Sequence, residues 1–170
     1  MVVRIRRPSK GAPFIHPIDP APRTAILARG FIETPTARVF PEGWSERARR
    51  FKPASIAGPL QLLRRMARDT WSFDQAVVVF TYTGGPVLTT LDRDSLWKAF
   101  GVPVFEQYLN SKNRLLATEC DAHAGLHVVY GCAQFVKDGF ALEQDLCACG
   151  NPAPRLIRGS RIEELAGLLA

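Results

Sequence analysis

Nowhere in these 170 residues is there an apolar run near the roughly 20 residues that a membrane-spanning helix needs. The N-terminus also has no apolar stretch of the kind that marks a secretory signal. Internal repeats and low-complexity tracts are missing, which excludes a repeat array. There is no Cys-x-x-Cys pair to support a thioredoxin-like site. No zinc-finger, RNA-recognition or helix-turn-helix signature and no long basic block accompanies the positive charge. With 46% apolar and 22% charged residues, the chain carries too much apolar material to be disordered throughout. These exclusions leave a soluble, cytoplasmic protein with a modest core.

The net charge of +6 is unevenly spread. Residues 1–53 hold 11 Lys/Arg against 4 Asp/Glu, whereas residues 54–170 hold 11 against 12. The first third also contains Pro8, Pro13, Pro17, Pro20, Pro22, Pro35, Pro41 and Pro53. Proline lacks a backbone donor and fixes φ, so this density predicts an irregular basic arm over 1–53 without long helices or central strands. A single α/β domain over 54–170 follows it. The basic residues of the arm are dispersed, from Arg4, Arg6 and Arg7 to Arg49 and Arg50, so no nucleic-acid partner is expected.

Downstream the patterns are clearer. Ile56, Leu60, Leu62, Leu63 and Met66 approach helical spacing behind Ser55, predicting a helix over 56–69 with Gly58-Pro59 in its first turn. Ala76–Tyr82 is a continuous β-branched and aromatic run, the mark of a strand buried on both faces. After the Thr83-Gly84-Gly85-Pro86 turn, Thr89 or Thr90 caps a helix that Gly101 closes. Strands follow at 102–108 and 115–120, with a short pair at 127–130 and 133–137, and a terminal helix at 161–169. Strand, helix and strand in that order imply a βαβ unit, hence a small mixed sheet with flanking helices. Trp44, Trp71, Trp97, Phe51 and Phe73 exceed what one thin layer can bury, so a protein partner or a homodimer is expected.

Cys120, Cys132, Cys147 and Cys149, with His123 and His127, crowd into one 30-residue stretch. Two thiolates one residue apart, as in Cys147-Ala-Cys149, can chelate one ion, and Gly150 and Pro152 after them form a turn. Adding Cys120 and one histidine completes a Cys₃His set, a standard tetrahedral zinc environment with no open position for water. Spacing alone does not choose between His123 and His127, nor does it settle the part played by Cys132.

Three blocks carry a resemblance to a known family. Thr83-Gly-Gly-Pro-Val-Leu-Thr89, Phe100-Gly-Val-Pro-Val-Phe-Glu-Gln-Tyr108 and Glu119-Cys-Asp-Ala-His-Ala-Gly-Leu-His127 resemble the phenylacetate–coenzyme A ligase type of adenylate-forming enzymes. Cys147-Ala-Cys-Gly150 with Pro154-Arg-Leu156 is similar to that family's later Cys-x-Cys-Gly…Pro-Arg element. The resemblance covers about residues 53–157 and implies a structural zinc on Cys120, His127, Cys147 and Cys149, a metal stapling the C-terminal segment to the sheet.

The departures from the family bear on chemistry. Its Tyr-Gly-x-Thr-Glu element, which handles ATP and magnesium, reads Tyr108-Leu-Asn-Ser-Lys112 here. Leu109 replaces the permissive glycine, and Lys112 reverses the charge where a carboxylate helps hold Mg²⁺. The Gly/Ser/Thr-rich phosphate loop has no counterpart in residues 1–53, and the 13 residues after Ile157 cannot hold the family's C-terminal catalytic domain. The resemblance therefore implies a non-catalytic, zinc-stabilised binding or partner-contacting module. A vestigial nucleotide pocket at Gly84, Gly85 and Tyr108 is the most that adenine-nucleotide binding extends to. The alternative is an acyl- or aryl-CoA ligase-like, AMP-forming subunit completed by a partner chain, with Glu106, Lys112, Glu119, Asp121 and His123 as ionisable candidates. Strand alternation leaves Glu106 and Glu119 facing solvent in this reading, and His123 in an exposed loop.

Overall fold

The computed structural model describes residues 11–69, 71–130 and 138–158. In chain order these form β1 (Thr24–Ile26), β2 (Ala37–Val39), α1 (Glu46–Arg50), β3 (Ser55–Pro59), α2 (Leu60–Met66), β4 (Ala76–Tyr82) and α3 (Thr90–Phe100). They continue with β5 (Val104–Leu109), β6 (Leu115–Glu119), β7 (Leu126–Val128), β8 (Phe140–Glu143) and β9 (Arg155–Arg158). The strands make one mixed sheet in the order β2-β1-β3-β4-β5-β6-β7-β9-β8. From β2 to β5 every pairing is parallel; from β5 onward every pairing is antiparallel.

The parallel part rests on two βαβ units, β3-α2-β4 and β4-α3-β5. Its strands are buried on both faces, as the unbroken apolar run of β4 requires. On one face Val77 and Val79 meet Ile56, Leu63, Leu96 and Phe100, the last three supplied by α2 and α3. On the other face Val78 and Phe80 meet Ile26, Ala57 and Leu109. This second face is covered by irregular chain rather than helix, with Phe31 stacked on Phe80 at 5.0 Å and Phe14 edge-on to both. Helix α3 forms where local signals agree. Thr89 and Asp92 make a reciprocal capping box, and Gly101 closes the helix in the left-handed region at φ 70°.

Two expectations are corrected. Proline did not exclude strands from the first third. Pro22, Pro35 and Pro41 flank β1 and β2 rather than enter them, so each strand is limited to three residues, and β1 is an interior strand with Ala25 and Ile26 fully buried. The helix foreseen over 56–69 begins only at Leu60. Residues 55–59 are a strand instead, because Ile56 and Ala57 serve opposite faces of the sheet and Gly58 admits the close approach of Leu27, whose Cβ would lie 3.2 Å from any Cβ there. Strand β7 pairs with β6 and β9. The strand foreseen at 133–137, Cys132 and the helix foreseen at 161–169 lie outside the described residues.

Of the aromatic excess, Phe51 and Phe73 are buried, and Trp44 packs edge-on to Trp71 at 5.7 Å and to Phe73 at 5.3 Å. Trp97 alone among those five aromatics is exposed, at 59%.

Candidate metal centre

The antiparallel wing brings together residues distant in sequence. Cys120 follows directly on β6, and a tight connection returns the chain to β7, whose His127 pairs with Thr118 on one side and Arg155 of β9 on the other. The return depends on Gly125, at φ 102°. A Cβ there would come within 2.4 Å of the Ile157 side chain and 2.9 Å of the Leu156 carbonyl. The loop from β8 to β9 then presents Cys147 and Cys149. Gly150, at φ 80°, donates its N–H to the Cys147 carbonyl at 2.9 Å, closing the turn inferred from the Cys-x-Cys-Gly pattern.

As a result the ligand atoms of Cys120, His127, Cys147 and Cys149 all lie within 4.8 Å of one another. Cys120 Sγ is 3.7 Å from Cys147 Sγ, and Cys149 Sγ is 3.3 Å from His127 Nε2. His127 Nδ1 sits 3.1 Å from the Ala153 carbonyl. A carbonyl only accepts, so Nδ1 carries the ring proton and Nε2 turns its lone pair toward the sulfurs, the orientation a metal-binding imidazole needs. The Asn151 N–H donates to Cys149 Sγ at 3.5 Å. Burial pushes the Cys120 thiol up to about 11, while the Cys149 backbone N–H leads the interactions that hold Cys147 down to about 6. Three soft sulfurs and one imidazole fit a tetrahedral Zn²⁺ and would fill its coordination. His123 stands apart from this cluster.

A second constellation was misread from the sequence. Glu106 and Glu119 do not face solvent; they are 2% and 3% exposed. Both point to the α3 side of the sheet, where Arg93 reaches Glu119 at 3.0 Å and Glu106 at 3.5 Å. Arg158 of β9 pairs with Glu106, which also accepts from the Thr81 hydroxyl at 2.6 Å. Glu119 accepts from the backbone N–H of Glu106 at 2.8 Å and faces His123 Nδ1 at 3.2 Å. Half-exposed His123 sits at φ 49° and lies over Phe105, with 5.0 Å between ring centroids. Arg93, Glu106, Glu119, His123 and Arg158 line a cleft of about 960 Å³ with Trp97. The sequence contained one usable signal. A glutamate between Phe105 and Tyr108, inside an otherwise continuous buried run, demands a buried cation, but nothing local named Arg93 or Arg158 as that cation.

Gly84, Gly85 and Tyr108 line one smaller cavity of about 370 Å³ with Asp138 and Arg158. The Tyr108 hydroxyl donates to Asp138 at 2.6 Å. Leu109 is buried in the sheet core, and Lys112 is exposed in the β5–β6 turn. Asp121 is likewise exposed.

No family model and no curated protein matches the chain. A solved structure of an open conformation of 2-hydroxyisobutyryl-CoA ligase, in complex with 2-HIB-AMP and CoA, is similar to it with a TM-score of 0.49 and 13% identity. The alignment covers 82% of this chain and 44% of that one, so this chain spans less than half the length of that ligase. At that level of likeness the match assigns this chain to no family, and it does not show the phenylacetate type.

Proposed function

We propose that this protein is a zinc-stapled α/β binding module, related through its motifs to the adenylate-forming ligases but without their chemistry. The observation that carries the reading is the convergence of Cys120, His127, Cys147 and Cys149 from two separate parts of the wing onto one point. Four protein ligands leave zinc no position for a reactive water, so the ion's contribution is to cross-link the β6–β7 hairpin to the β8–β9 loop. A cluster of reduced thiols suits a reducing compartment, hence the cytoplasm. Buried Leu109 and exposed Lys112 support the absence of ATP-dependent chemistry, because neither offers a site for nucleotide or Mg²⁺.

Metal analysis of protein purified without added metal tests this reading. One zinc per chain, lost in a Cys149→Ser variant, is the expected result. Protein that folds normally without metal would overturn it, as would release of pyrophosphate from ATP and a carboxylic acid by the chain alone.

One observation favours the alternative, a ligase-like subunit completed by a partner chain. Gly84, Gly85 and Tyr108 share a cavity at the ends of β4 and β5, where open parallel sheets bind ligands. Saturable binding of ATP with Mg²⁺ would move the reading toward it.

A further inference from the structure

Four of the six arginines that the sequence disperses over residues 23–50 meet on one face. Arg23 leads into β1, Arg38 lies in β2, and Arg47 and Arg50 stand one turn apart on α1. The four surround an open pocket of about 540 Å³ floored by buried Phe40 and Phe51. The guanidinium carbons of Arg23 and Arg38 lie 4.7 and 5.4 Å from the centre of the same Phe51 ring, and that of Arg47 lies 5.4 Å from Phe40. Ring faces position these cations but leave their charge unneutralised.

Acidic compensation at this face is thin. Glu46 pairs with Arg50 at 3.4 Å and Glu42 with Arg47 at 3.8 Å, both among exposed side chains where an ion pair is weak. Arg23 and Arg38 have no carboxylate partner among the described residues. Two like charges share one ring, with two more beside them, so the face favours anions.

We propose that this face binds the phosphate backbone of a nucleic acid without reading its bases. Phe40 and Phe51 are buried under the arginines, so no ring is free to stack a base. The pocket lining offers guanidinium groups rather than the glycine-rich amide cradle of a mononucleotide site. The large exposed apolar side chains, such as Trp97 and Leu146, are not among the residues of this face, so it has nothing to insert into a membrane.

The test is fluorescence anisotropy of labelled 20-nucleotide single strands of two unrelated sequences, titrated with the full chain across a range of salt. Four phosphate contacts predict a log–log salt slope near −3, nearly equal for the two sequences, from about 0.7 per contact. Arg23→Gln with Arg38→Gln should make the slope shallower by about 1.4, and Arg47→Gln with Arg50→Gln by a similar amount. The Arg23→Lys/Arg38→Lys pair should restore most of the slope. Circular dichroism melts check that each variant is folded. Salt-insensitive binding or slopes unmoved by either pair would overturn the proposal. Tighter binding to inorganic phosphate, ATP or phosphatidylserine vesicles than to the oligonucleotides would also overturn it.

Discussion

The two halves of the sheet are held by different physics. From β2 to β5 the strands run parallel and bury both faces, with Ala25, Ile56, Val77, Val78 and Val79 fully inaccessible to solvent. From β6 to β8 the strands are antiparallel and three to five residues long, and among the described residues their apolar cluster is Tyr108, Leu116, Ala117, Leu126, Phe140 and Leu156, with Val128 packed against it. The wing adds polar ties instead: Arg155 to Glu143 at 2.5 Å, Arg158 to Glu106, and the Cys/His cluster. A sheet segment flanked by α2 and α3 is stabilised by burial, whereas a segment with few apolar contacts needs cross-links, as small domains generally do.

That contrast can be tested at graded cost. Leu63→Ala removes a fully buried side chain under α2 and should lower global stability by about 3 kcal/mol in urea denaturation, with a single transition. A separate, unshifted transition for the wing would mean the halves fold independently. Cys147→Ser should act locally. Amide hydrogen exchange in β7 and β9 should speed up by about a hundredfold, equivalent to about 2.7 kcal/mol, while Val77–Phe80 keep their protection. An equal loss in both halves would break the comparison. Arg93→Ala cuts the seam between them, leaving Glu119 and Glu106 with one cation fewer; about 2 kcal/mol is expected, below the range for a fully buried pair because Arg93 is 30% exposed. The smallest effect lies at the irregular cover of the parallel half. Burial holds His16 down to about 4, with Nδ1 accepting from the Ile18 N–H at 3.0 Å and Nε2 buried without a partner. Between pH 6.5 and about 4 the unfolded chain binds this proton and the folded chain does not, so stability falls as pH drops through that window. His16→Gln should flatten that part of a urea-midpoint profile.

Legibility followed the range of the interactions. Strand β4 and helix α3 were readable because every signal for them is local: a β-branched run, a capping box, a closing glycine. Of the four candidate ligands, the Cys147 and Cys149 pair was readable from the Cys-x-Cys-Gly turn, whereas His127 in place of His123 was implied only by the family resemblance. Strand β3 was not. Ser55–Pro59 has helix-compatible spacing into α2, and only the presence of β1 and β4 on either side makes extended backbone the better solution. Glu106 and Glu119 failed for the same reason, because their partners come from α3 and β9, 13 to 52 residues away.

Residue order alone therefore determined strand β4, helix α3 and the Cys-x-Cys-Gly turn, whose defining contacts lie within one element or turn. Which charges are buried, where the dispersed arginines gather and how the proline-rich first third joins the sheet were decided by tertiary structure. Coulombic pairs and strand neighbours depend on distance in space, which a linear pattern does not record.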